Sequence, residues 1–158
     1  MKSQNDKHAD ENMTRKLARK KIVIAVDESD YAKKVVKAAY DIAENIDADI
    51  DLLTVIETPE LAGEGEEDRS QIDEEEKKIS DRHKGLIDST FSGSTLLIES
   101  VILHGDPAKK ICEFAKRSNA SLVVIGTRSL GKLQAKLLGS VSYKVIKNCQ
   151  CSVLTVRK

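Results

Sequence analysis

The segment Leu122–Ser142, LVVIGTRSLGKLQAKLLGSVS, decides how the rest of the chain is read. Its first four residues, Leu122-Val123-Val124-Ile125, are an apolar run without polar alternation, as expected of a strand covered on both faces. Gly126 closes the run, and the polar residues Thr127-Arg128-Ser129-Leu130-Gly131 follow. A second small-residue corner, Gly139-Ser140, opens a helical pattern that runs to Asn148. A buried strand, a glycine turn and a helix start can aim several backbone N–H groups at one point, which is how proteins hold a phosphate.

The same alternation extends in both directions. Lys21–Val26 (KIVIAV) is a second apolar run, ending in Asp27-Glu28-Ser29-Asp30, a group of acceptors able to cap a helix. Val35, Ala38, Ala39, Ile42, Ala43 and Ile46 then recur at three- and four-residue steps, the pattern of a half-buried helix. Asp47-Ala48-Asp49 turns the chain into a strand over Ile50–Ile56, and Glu57–Gly65 reads as a loop. The charged helix that follows shows only a narrow seam, Ile72, Ile79 and Leu86, seven residues apart. A strand near Thr95–Leu103 leads to His104-Gly105-Asp106-Pro107, with Asp106 placed as N-cap and Pro107 as first helical residue. Ser152–Val156 is the last strand.

Strands alternating with helices at this spacing predict an α/β domain, a five-stranded parallel doubly wound sheet in the order 3-2-1-4-5 with helices on both faces. In such a sheet ligands sit beyond the carboxyl ends of the strands, at the reversal of strand order. Asp27, the loop after Val55, His104-Gly105 and Gly126-Thr127 are therefore expected to converge on one crevice. Residues 1–20 lack apolar periodicity and read as a disordered charged tail before a single domain over 21–158.

Composition narrows the function. Of 158 residues 33% are charged and 3% aromatic, with no Trp, which argues against an aromatic base-stacking surface for nucleic acid. The 26 basic and 26 acidic residues balance, yet no Asp or Glu follows Glu113, so a positive field is expected around the glycine stretch. No run approaches the roughly 18 apolar residues of a membrane span. Cys112, Cys149 and Cys151 fit neither a CxxC redox motif nor a zinc half-site, and they read as reduced thiols in a cytoplasmic protein. Asp27 as a phosphoacceptor would need further acidic residues on neighbouring loops, and His104-Gly105 stands at the third strand end instead. A lone loop His such as His104 reads as a structural, hydrogen-bonded residue.

Four stretches together, KIVIAVDES, LLTVIE, HGDPAKKI and the segment quoted first, resemble the universal stress protein family in its nucleotide-binding branch. The likeness spans about residues 21–158. The family fingerprint Gly-x2-Gly-x9-Gly-(Ser/Thr) aligns at Gly126 and Gly139-Ser140, with Ser129 at the second glycine position. The resemblance implies an adenine-nucleotide site for ATP or AMP. In it Ala25, Val26 and Asp27 meet the nucleoside and the Val55 backbone meets adenine. Gly126, Thr127, Arg128 and Ser129 form the ribose and phosphate turn, and Gly139, Ser140, Val141 and Ser142 hold the phosphates. It also implies Mg2+ or Mn2+ carried by the phosphates, at most slow ATP hydrolysis, and a homodimer paired through Val153, Leu154, Thr155 and Val156. An unknown protein partner fits a stress-response or signalling module, whereas nucleic acid and membrane do not. Alternatives are a dimeric scaffold without nucleotide, or an ATP-using enzyme of a related α/β fold, although neither a HxGH nor a SGGxD signature is present. Leu133, Leu137 and Leu138 are expected to pack over the site.

Overall fold

β1 (Lys21–Ala25), β2 (Asp49–Ile56), β3 (Ile98–His104), β4 (Leu122–Thr127) and β5 (Ser152–Arg157) form one parallel sheet in the order β3-β2-β1-β4-β5, as the sequence predicts. The structure is a computed structural model that describes residues 19–58, 66–127 and 139–157. The tail over 1–18, Arg128, Ser129, Gly131 and the three leucines at 133, 137 and 138 lie outside the described residues.

The central strands are apolar because both faces are covered. Ile22, Ile24, Ile50, Leu52 and Val124 point to one side, where α1 (Ala32–Ile46) and α2 (Glu66–Thr90) pack through Val35, Ala39, Ala43 and Leu86, with Phe91 just past α2. Val23, Ala25, Leu53, Val123 and Ile125 point to the other, against α3 (Pro107–Arg117) and α4 (Ser140–Asn148) through Ala108, Ile111, Ala115 and Val145. Each fully buried Val, Leu or Ile contributes about 1.5–3 kcal/mol relative to exposure, so these two clusters carry most of the fold's apolar stabilisation.

Asp106 caps α3 as expected: its carboxylate accepts from the Lys109 N–H at 2.8 Å, and Pro107 follows at the first helical position. The acidic cluster before α1 does not cap that helix. α1 starts after Tyr31, which makes no side-chain cap bond, and Asp27 Oδ1 is taken instead by the Ser29 N–H and hydroxyl.

The expectation of three reduced thiols also fails. Cys112 in α3 and Cys149 at the C-cap of α4 are joined by a disulfide, their Cα atoms 4.9 Å apart, while Cys151 is free. Antiparallel or parallel neighbours on one face of a sheet bring together residues far apart in sequence, here 37 positions, and no local pattern announces it.

α2 is long and poorly amphipathic, and polar ties compensate for its thin seam. His83 is 1% exposed and lies between the β2 and β3 hydroxyls of Thr54 (2.8 Å) and Ser100 (2.7 Å). Thr54 donates to the Val26 carbonyl at 3.0 Å, so its oxygen accepts from His83 Nε2–H and Ser100 donates to Nδ1. This assigns a neutral imidazole. Burial alone lowers the His83 pKa to about 4. At the top of the same helix Glu76 meets His104 at 2.6 Å, which gives His104 the structural role expected of it.

Candidate functional site

The strand order reverses between β1 and β4, and a cavity of about 1040 Å3 opens beyond their carboxyl ends. That is at the upper end of the ~300–1,000 Å3 usual for small-molecule sites. Of the twelve ligand-site residues expected from the sequence, ten line it: Ala25 at the end of β1 with Val26 and Asp27 just past it, Val55 in β2, Gly126 and Thr127 in β4, and Gly139, Ser140, Val141 and Ser142 at the start of α4. The other two, Arg128 and Ser129, lie outside the described residues. His104 and Gly105 are not among the lining residues; Asp106, Pro107 and Ala108 take that side.

The phosphate-type corner is the start of α4. Gly139 is its N-cap, in an extended conformation (φ −65°) open to any residue, and no side chain caps the helix. The first helical bond runs from Tyr143 N to Gly139 O at 3.0 Å, and the Ser142 hydroxyl donates to the same carbonyl at 3.0 Å. The N–H groups of the first turn therefore point out of the helix beside the cavity without a side-chain acceptor among the described residues. A helix N-terminus of this kind favours an anion by roughly 0.3–1 kcal/mol through its dipole, beyond the hydrogen bonds themselves.

Gly126 has a different reason from the one its motif suggests. A Cβ there would stand 3.0 Å from Val35 Cγ2 and 3.1 Å from Tyr31 Cε1, so the glycine lets α1 seat its first turn on β4. Tyr31 lines the cavity and its hydroxyl is buried without a partner; burial raises its pKa. An orphaned hydroxyl at a cavity wall fits a polar ligand. From α2, Arg82 donates to the Ser29 carbonyl at 2.8 Å and so holds the 27–30 loop in place.

The charge of the lining departs from expectation. Asp27, Glu28, Asp30, Glu57 and Asp106 line the cavity, and among its described residues the cation is Lys144, whose Nζ stands 3.6 Å from Asp106 Oδ2. The Asp106 carboxyl is held below its ordinary pKa, first by the Lys109 N–H and then by Lys144. The positive field expected around the glycine stretch is thus not a property of the described wall. Among the described residues no group of three or more His, Cys, Asp or Glu could hold a metal ion. Lys144 was not singled out from the sequence, although its place four residues after Ser140 puts it on the same helical face. Tyr31 carried no such signal.

The universal stress protein family profile matches residues 18–157. The chain belongs to that family. A universal stress protein of Methanocaldococcus jannaschii is 35% identical over 140 residues, covering 88% of this chain and 82% of the relative. Universal stress protein YxiE of Bacillus subtilis is 30% identical over 145 residues, covering 87% of this chain and 98% of the relative. Among solved structures, UspA of Lactobacillus plantarum superposes with a TM-score of 0.74 at 24% identity over 89% of this chain and 99% of that one. A universal stress protein of Archaeoglobus fulgidus in complex with dAMP superposes at 0.61 with 26% identity, over 86% and 96%. Another family member is solved in complex with cAMP (TM-score 0.70, 24% identity, 88% and 97%). Among the described residues no helix is long and apolar enough to cross a membrane.

Proposed function

We propose that the cavity binds an adenine nucleotide, ATP or AMP, and that the protein is a cytoplasmic stress-response or signalling module working as a homodimer. The observation that carries this is that the start of α4, which has no side-chain cap, lines the same cavity as the apolar Val26, just past β1, and Val55 in β2. The helix start suits phosphates and the apolar residues a flat base. The family member in complex with dAMP supports the ligand class. Ser140 and Ser142 add hydroxyls to the first-turn amides, and Arg128 and Ser129 complete the turn by the family fingerprint. Mg2+ or Mn2+ enters on the phosphates and moderates their repulsion by the acidic wall. The nucleotide-binding domain in this reading is residues 21–158.

In this reading nucleotide hydrolysis is at most slow. The dimer forms through β5. It is an edge of the sheet, its Val153 and Leu154 are only half-buried, and Tyr143 and Ile146 are exposed on the neighbouring α4 at 56% and 43%. An apolar edge of this kind is a template for pairing with a second copy. The acidic wall favours a second reading, a dimeric scaffold that has no nucleotide.

Calorimetric titration with ATP and AMP, with and without Mg2+, decides between the two readings. Saturable binding is expected; no heat at millimolar nucleotide leaves the scaffold. Sedimentation gives the oligomeric state, and a monomer at every concentration removes the dimer.

A further inference from the structure

The disulfide between Cys112 and Cys149 closes a loop with a specific content. Between the two cysteines lie β4, Gly126, Thr127, the fingerprint segment and the start of α4, so every residue expected to hold phosphate lies within the cross-linked stretch. The two helices it joins both present their N-termini to the cavity: Asp106, Pro107 and Ala108 from α3, and Ser140–Ser142 from α4. Cys112 and Cys149 are half-buried rather than sealed in the core, and Cys151 packs against the same apolar cluster. The reduced state is also accommodated, since the Val145 carbonyl stands 3.9 Å from Cys112 Sγ as an acceptor for its thiol.

We infer that Cys112 and Cys149 form a redox-active thiol–disulfide site that ties α4 to α3 through its C-terminal end and so holds the nine-residue helix, with its anion-binding start, in position; a dithiol reductant then loosens the site and an oxidant restores it. In the reductive direction two external thiols, or one dithiol, give two electrons and two protons to the protein disulfide. The Cys112–Cys149 S–S bond breaks, two protein thiols form, and one external S–S bond forms. The reverse reaction consumes a small-molecule disulfide such as oxidised glutathione. The coupling to the cavity rests on the nucleotide reading above. The redox site and its mechanical effect on α4 do not.

The experiment uses the full chain and its Cys151→Ser variant, in which Cys112–Cys149 is the sole disulfide possible within one chain, glutathione adducts being distinguished by their added mass. Each is equilibrated across a reduced/oxidised glutathione series, and thiol content is read by mass after alkylation. A transition between two free thiols and none in Cys151→Ser is expected; thiols that remain free or remain paired across the whole series overturn the redox site. Amide exchange at residues 139–145 is then compared in the two states, and faster exchange on reduction is expected. Equal exchange overturns the fastening of α4. Nucleotide titration of both states should show affinity lowered about fivefold or more on reduction, with the thiol transition shifted reciprocally by bound nucleotide. Binding that is equal in both states refutes the coupling while leaving the nucleotide reading intact. Binding in neither state refutes the nucleotide reading, and the exchange data still decide the inference. Cys112→Ser provides a check on the reduced state; should it fail to fold, chemical reduction of the parent chain supplies the same comparison.

Discussion

Acidification should destabilise this protein through His83. In the folded chain the imidazole is neutral and enclosed between Thr54 and Ser100, with a pKa of about 4, whereas in the unfolded chain it returns to about 6.5. A histidine with a lowered folded pKa binds fewer protons in the native state. The stability it carries is therefore present above the unfolded value and lost as pH falls from about 6.5 towards about 4. A shift of this size corresponds to about 3 kcal/mol over the whole window, of which about 2 kcal/mol disappears between pH 7 and pH 5. Against typical domain stabilities of ~5–15 kcal/mol this is a large loss. The assay is urea unfolding at pH 5, 6 and 7 for the parent chain and for His83→Gln, which keeps a hydrogen-bonding side chain but has no titration. The variant is less stable at pH 7, and its deficit should shrink by about 2 kcal/mol at pH 5 as the parent chain loses the His83 contribution. A deficit that stays constant across the three pH values refutes the neutral, buried assignment.

Asp51 works in the opposite sense: it is 1% exposed, Oδ2 has no partner, and burial, only partly offset by Lys21 at 3.2 Å, raises its pKa. Its ionisation costs stability as pH rises above the unfolded value of about 4, so Asp51→Asn should flatten that decline in urea melts, and an unchanged pH profile would count against it. Gly126→Ala should cost about 1–3 kcal/mol, because the new methyl meets Val35 at 3.0 Å and the Tyr31 ring at 3.1 Å; an unaltered unfolding midpoint would show that α1 seats less tightly than described. Gly139→Asp separates stability from binding. The cap conformation admits the residue, so stability should hold or rise by a few tenths of a kcal/mol as the carboxylate accepts first-turn N–H groups. Nucleotide affinity measured by calorimetry should fall at least about tenfold, because the same N–H groups are occupied and a negative charge stands where phosphate would go; undiminished binding would remove α4 from the phosphate site.

The fold was legible because its signals are local and mutually consistent. KIVIAV and LVVI are apolar on consecutive positions only because both sheet faces are covered, and the DP step at Asp106-Pro107 announces a helix start without any tertiary help. The cavity followed from topology, since strand ends at a reversal of order must lie together. What was not legible depends on contacts across the fold. The acceptors at Asp27–Asp30 promised a cap, but Ser29 captures the Asp27 carboxylate first. Gly126 looked like a ligand-driven glycine, yet its nearest constraints are Val35 of α1 and the ring of Tyr31 just before that helix. His83 sits within a run of charged residues, where nothing in the local pattern marks one side chain as buried. The positive field inferred from the sequence of the last third depends on where Arg128, Lys132 and Lys136 project, and linear charge counts cannot supply that.

The polar contacts of α2 have a further consequence. A seam of Ile72, Ile79 and Leu86 repeats every seven residues, so apolar packing alone would accept this helix displaced by one heptad, about 10.5 Å along its axis. The Glu76–His104 and His83–Thr54/Ser100 contacts remove that degeneracy, because they match at only one axial position. Seven residues of helix between Glu76 and His83 span about 10.5 Å, and the four residues of strand between Ser100 and His104 span about 13 Å, so the two contacts index the helix against β3 like marks on a vernier. The sheet tells α2 that it is wanted on that face; the histidine tells it where to stop.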